Sequence, residues 1–232
     1  MKKDIQLAYK AEQKYLKEGG NLVTILNACG YYNLEEYFSD KNDYLLKRYE
    51  FVNHYLTDDK DLLNRIRQSI INQEYGFWTL DASYTFACIG SDPIDYDLAE
   101  KLGVKVFDIG YGGGTIISSP KDVACLFMYP LIGTVNTDFF FDKLIKFLNT
   151  KSDKFIVDNN DIMFEGKKVI GTSELTRDKL KVFCVVASFN DNSEIIKKLC
   201  PPKVKQPGII PSDILTKKEL EMEIASWANL SI

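Results

Sequence analysis

Gly110, Gly112, Gly113 and Gly114 fall within five positions, between the β-branched runs that begin at Val104 and at Thr115. A backbone without Cβ atoms can take positive φ and bring its N–H groups against a phosphate or a carboxylate, so the segment from Gly110 through Tyr111 to Thr115 is a candidate anion-binding turn. The same glycines alone would equally well make a hairpin or a bulge.

Other chemistry is restricted by what the chain lacks. His54 is the single histidine, which leaves little material for histidine zinc sites or nucleophile–histidine pairs, and it is read as a packing or surface residue in a helical stretch. Five cysteines, Cys29, Cys88, Cys125, Cys184 and Cys200, are odd in number, show no CxxC spacing and sit mostly in apolar runs, as reduced thiols of a cytoplasmic protein do. The net charge of −4 gives no general reason to expect nucleic acid or an anionic membrane as a partner. A small basic group, Lys197, Lys198, Lys203 and Lys205, is read as a solvated rim. No signal peptide is evident, and no run approaches the roughly 18 apolar residues of a membrane helix.

The elements that must position the turn fall into two textures. Residues 1–75 read as a helical N-terminal segment: a first helix through Ile5, Ala8, Ala11 and Tyr15 stopped by Gly19-Gly20, a second from Leu34 to Leu56, and a third through Leu62, Leu63, Ile66 and Ile70. Residues 76–232 read as strands with helices between them. Strands are expected at Phe77–Leu80, Tyr84–Ile89, 104–107, 114–118, 123–129, Phe155–Val157, Asp161–Phe164, Lys168–Thr172 and Val182–Phe189, with a hairpin turn at Glu165-Gly166-Lys167. Helices are expected before Gly103, over Thr137–Leu148, after Asn190-Asp191, and after Thr216, which forms a capping box with Glu219. The fold class is therefore α+β, a mixed or antiparallel sheet with flanking helices. With 232 residues, 45% of them hydrophobic, the chain can bury a sizeable core.

Three pieces stand in a particular order: Cys88-Ile89-Gly90-Ser91, the glycine turn, and a stretch from Asn160-Asp161 to Lys168-Val169-Ile170-Gly171. In that order and spacing, from about Trp78 to the C-terminus, the chain resembles the catalytic domain of lipoate-protein ligases and the wider biotin and lipoate ligase superfamily. The resemblance implies that ATP activates lipoate or a related carboxylic acid to an acyl-adenylate, and that the acyl group passes to a lysine of a lipoyl-type carrier protein. It implies that Tyr111 to Thr115 line the acyl tail and phosphate, and that Lys168 is the catalytic cation at the α-phosphate and acyl carbonyl. Asn160, Asp161 and Gly171 would lie at the nucleotide, with Asp161 holding Mg²⁺. Taken without this context, Lys168 is an exposed hairpin lysine.

The chain also departs from the family pattern. Arginines usual before the glycine loop and at an Ile-Gly-Arg position are replaced by Ile109, Gly110 and Ser91, a histidine after the loop by Ser118, and a histidine pair by Phe183-Cys184. Each lost charged hydrogen bond to phosphate costs about 1.5 to 3 kcal/mol, or one to two decades in binding or rate. Two further readings follow. Cys184 would be the nucleophile of an ATP-independent octanoyl or lipoyl transferase, or the domain binds a ligand or protein without turnover, with residues 1–75 as a regulatory surface.

Overall fold

The computed structural model describes residues 2–46, 52–57, 68–69, 71–72, 74, 76–89, 94–108, 115–130, 138–177, 180–200 and 205–227. Gly110, Tyr111, Gly112, Gly113 and Gly114 lie outside that set, as does most of the helix expected over Leu62–Ile70.

The N-terminal helices form as their end signals dictate. Helix α1 (Ile5–Glu18) starts where the Asp4 carboxylate accepts a hydrogen bond from the Leu7 N–H at 3.0 Å, and stops at Gly19 with φ 76°. With α2 (Leu22–Asn27) and α3 (Leu34–Leu46) it encloses Ala8, Leu26, Tyr31 and Tyr37. An ion pair is buried among them: Lys41 Nζ lies 2.7 Å from Glu12 Oε2, and the Tyr37 hydroxyl donates to the same oxygen at 3.0 Å.

The helix expected over Leu34–Leu56 is corrected here. Helix α3 ends at Leu46 among the described residues, and Val52–Thr57, which carries His54, is a strand, β1. It pairs in parallel with β2 (Gly76–Asp81), Val52 opposite Gly76. Apolar residues at 52 and 56 satisfy a four-residue helical spacing and a two-residue strand spacing alike, and the backbone of β2 decides between them.

Among the described residues the main sheet has seven strands, ordered β1, β2, β6 (Val123–Pro130), β10 (Leu180–Ala187), β9 (Lys167–Arg177), β8 (Asp161–Phe164) and β7 (Phe155–Asp158), antiparallel beyond the β1–β2 pair. A second sheet has, among the same residues, three strands, β4 (Lys105–Asp108), β3 (Phe86–Ile89) and β5 (Ile116–Ser118), with β3 parallel to β4 and antiparallel to β5. The architecture is the expected α+β. Strand β9 runs five residues beyond Thr172, where β10 continues to pair with it.

Alternation divides the main sheet into two buried faces. Val123, Cys125, Phe127 and Tyr129 of β6, with Phe183, Val185 and Ala187 of β10, share a core with Phe140, Leu144 and Leu148 of α5 (Asp138–Lys151) and with Leu220 and Ile224 of α7 (Lys217–Ser226). The alternate residues Ala124, Leu126 and Met128 share a second core with Trp78 and with Phe86 of the smaller sheet. A third core, built from Ile89, Ile117, Ala99 of α4 (Tyr96–Lys101) and Leu199 of α6 (Ser193–Leu199), closes that sheet.

Candidate functional site

The site starts from the turn between β8 and β9. Glu165 and Gly166 have φ of 49° and 79°, as a two-residue hairpin loop with both central residues left-handed requires, so the turn expected at Glu165-Gly166 forms. Its register then slips. Lys168 is opposite Met163, but the next pair is Ile170 opposite Ile162, which leaves Val169 as an extra residue in β9.

That bulge decides where Lys168 points. Under strict alternation Lys168 would share a face with Ile170, which is fully buried in the main core. The extra residue puts Val169 and Ile170 together in that core and turns Lys168 to the opposite face, where Gly171 and Asp161 are paired across the hairpin. A Cβ on Gly171 would stand 3.2 Å from Lys168 Cε and 3.3 Å from its Nζ, so the glycine leaves the space that the lysine occupies. The main chain of Lys168 is fixed on both sides of the residue: its N–H donates to Gln206 O at 2.9 Å, and its carbonyl accepts from Gly208 N–H at 2.8 Å. Gly208 permits this close approach, because a Cβ there would lie 2.6 Å from Lys167 Cβ.

Two ammonium groups converge on one carboxylate. Lys168 Nζ lies 2.7 Å from Asp161 Oδ1, and Lys205 Nζ lies 3.0 Å from Asp161 Oδ2 and 2.8 Å from Asp158 Oδ2. Lys205 also donates to the Asp158 carbonyl at 2.9 Å. The hydrogen bond to Asp158, opposed by desolvation and assisted by the hydrogen bond to Asp161 and the charges of both carboxylates, holds the Lys205 ammonium above its ordinary pKa. These contacts use all three of its donors, whereas Lys168 has Asp161 as its one ionic partner among the described residues.

Lys168 and Lys205, with Thr115 and Ser188, are the polar lining of a pocket that opens to solvent. The apolar walls are Ile116 and Ile117 of β5, Val186 of β10 and Ile196 of α6. A molecule with an anionic head and an aliphatic body matches that lining.

The sequence-nominated residues separate clearly. Thr115, Lys168 and Gly171 line the pocket, and Asp161 meets it through Lys168. Asn160 is exposed in the β7–β8 turn, where its carbonyl accepts from Thr172 N–H and Oγ1 at 3.1 and 2.8 Å. Cys184 is not among the described lining residues; it packs against the second core near Cys88. Burial pushes its thiol up to about 11, against a smaller opposite effect from Ser173, and burial pushes Cys88 up to about 12. A thiol so shifted is almost entirely protonated at neutral pH, contrary to what a cysteine nucleophile requires.

Mg²⁺ does not fit at Asp161 as arranged. Both its oxygens already carry an ammonium, and a cation bound there would have to displace one of them. Among the described residues no three His, Cys, Asp or Glu side chains cluster as metal ligands.

Lys205, expected in a solvated rim, is instead a member of the charged cluster. Its signal was the flanking sequence: Pro207-Gly208 follows it, a pair suited to an extended segment lying close to another strand. Ser188, Val186 and Ile196 had no signal beyond their apolar or polar type.

No protein-family model matches the chain, and no curated protein matches it. Solved structures do. The bipartite lipoate protein ligase of Thermoplasma acidophilum, from a study that includes its E2 lipoyl domain, superposes with a TM-score of 0.61 at 12% identity, over 79% of this chain and 85% of that one. A T. acidophilum lipoate protein ligase structure with bound lipoic acid gives 0.58 at 13% identity, over 77% and 84%. Lipoate-protein ligase A bound with ATP gives 0.58 at 14% identity, over 77% and 84%. At such identities the likeness establishes the fold.

Proposed function

We propose that this chain, on the fold of lipoate-protein ligases, activates lipoate or a related carboxylic acid with ATP and transfers the acyl group to a lysine of a lipoyl-type carrier domain. The observation that supports this reading most is the bulge at Val169, which turns a lysine out of the core and onto the wall of an amphipathic pocket. A cation held there by main-chain bonds on both sides of its residue needs little reorganisation when charge develops beside it.

In the first step a carboxylate oxygen of the acid attacks the α-phosphorus of ATP, the bond to the bridging oxygen breaks, and pyrophosphate leaves. Lys168 is the catalytic residue, donating from Nζ to the α-phosphate and the acyl carbonyl oxygen. Asp161 orients that ammonium, and Lys205 balances the second carboxylate oxygen, so that Asp161 does not neutralise Lys168 alone. Ile116, Ile117, Val186 and Ile196 receive the aliphatic tail, each buried methylene contributing about 0.8 kcal/mol. Gly110 through Thr115 and Asn160 keep the roles that the resemblance implies, the first at the tail and phosphate and the second at the nucleotide. In the second step the carrier lysine amine attacks the acyl carbonyl, an amide forms, and AMP departs. Mg²⁺ would accompany ATP, and no step depends on Asp161 as its ligand.

The test is mass spectrometry of the protein incubated with ATP, Mg²⁺ and lipoate or octanoate, scoring AMP and bound acyl-adenylate. Lys168→Ala is expected to reduce adenylate formation about 10- to 100-fold, the value of one or two charged hydrogen bonds, while leaving the melting temperature near that of the wild type. No adenylate from the wild type with any of several acids would reject the ligase reading and leave binding without turnover.

A further inference from the structure

We infer that Asp122 is a positioning residue that fixes the end of β5 against the β10–α6 connection and so sets the shape of this pocket. The inference rests on the pocket being the ligand site. Asp122 is 2% exposed and lies in the turn between β5 and β6. Its Oδ2 accepts from Ser119 N–H at 2.7 Å, from Ser119 Oγ at 2.9 Å and from Asn192 Nδ2 at 2.8 Å. Its Oδ1 accepts from the N–H groups of Phe189 and Asn190 at 2.8 and 3.0 Å. Five donors meet a carboxylate that has about four lone-pair sites, so the charge is buried with every acceptor position engaged.

These donors come from two segments that border the pocket. Ser119 follows directly on β5, whose Ile116 and Ile117 line it. Phe189, Asn190 and Asn192 join β10 to α6, which contributes Ile196 and leads to Cys200, both also in the lining. Ser188, between them, also lines the pocket and donates its N–H to the bulge carbonyl of Val169 at 2.8 Å. One carboxylate therefore ties the end of β5 to the β10–α6 connection, next to the Ser188 that bonds to the bulge residue Val169.

Asn192 supports the assignment independently. It occupies the N-cap of α6, where an asparagine side chain normally accepts from the first turn, yet it makes no such bond. Its amide donates to Asp122 instead, and its oxygen faces the Asn190 amide at 3.4 Å. A residue suited to capping the helix is used to fix where the helix sits.

Two variants separate positioning from stability. Asp122→Asn retains the shape but sets an N–H₂ against N–H donors at one of the two oxygens, while Asn192→Ser keeps a capping residue and removes the amide donor. Ile224→Ala, in the main core, is the control for destabilisation alone. Two quantities are measured on the whole protein: the rate at which N-ethylmaleimide alkylates Cys200, by peptide mass spectrometry, and the Kd of a non-hydrolysable lipoyl-sulfamate analogue of the adenylate. Both site variants are expected to change the alkylation rate about fivefold or more and to weaken the analogue about tenfold, with the Ile224→Ala rate near wild type. Unchanged alkylation and Kd in a folded Asn192→Ser protein would overturn the inference, and so would an equal alkylation change in Ile224→Ala. A wild type that binds no analogue, with alkylation still shifted in the two site variants alone, would reject the ligand reading and keep the role of Asp122 in fixing β5 against the β10–α6 connection.

Discussion

Lys168 shows how far a residue's chemistry depends on its neighbours' geometry. Its side chain reaches the pocket past Gly171, and any Cβ at that position would press on its last two atoms. Because those atoms are the tip of a flexible chain, Gly171→Ala should cost about 0.5 kcal/mol or less in stability, yet weaken binding of an adenylate analogue several-fold by moving the ammonium. Calorimetric titration beside a thermal melt reads both quantities, and an unchanged Kd would mean that the position of Nζ does not matter. The resemblance singled out Lys168 and Gly171 at a spacing of three, but in a regular strand residues three apart face opposite sides. Only the pairing of β8 with β9, which excludes Val169 from the register, brings them to the same face. Cys184 gives the converse case: a residue type capable of nucleophilic chemistry is placed where burial keeps its thiol protonated.

Elements whose limits are set by local contacts were the legible ones. The capping box of α7 is an example: Thr216 accepts from Glu219 N–H, and the Glu219 carboxylate accepts from Thr216 N–H at 2.9 Å, as the spacing of the two residues predicts. The ion pair with Lys151, at 2.7 Å, and the bonds to Thr216 lower the Glu219 pKa from 4.5 to about 2. A folded-state pKa below the unfolded value contributes stability that is fully present above about pH 4.5 and is lost as pH falls toward 2. Glu219→Gln should therefore melt at a lower temperature than the wild type at pH 7, and the gap should close by about pH 2. A gap that persists there would assign the effect to the uncharged hydrogen bonds. By contrast, the sequence of β1 reads as the end of a helix, because what makes Val52–Thr57 a strand is the backbone of β2, about two dozen residues later.

At the scale of the whole molecule, the fold is held by the core between the main sheet and helices α5 and α7. Phe140 is fully buried at its centre, with ring centroids 4.6 Å from Phe127, 4.9 Å from Tyr129, and 5.8 Å from both Phe183 and Trp227. Phe140→Ala should cost about 3 to 5 kcal/mol in urea denaturation, and a loss below about 1 kcal/mol would show that this core can collapse into the space. The α+β class, most strand and helix positions, the Glu165-Gly166 turn and the α7 cap were determined by the sequence alone, because periodicity, turn chemistry and capping act over a few neighbouring residues. The tertiary structure decided the sheet order, the side of β9 that Lys168 takes, the recruitment of Lys205 to Asp158 and Asp161, and the bond from Asp122 to Asn192 70 residues away. Such contacts between distant segments leave no local pattern, since each is fixed by which strands and loops come to lie side by side.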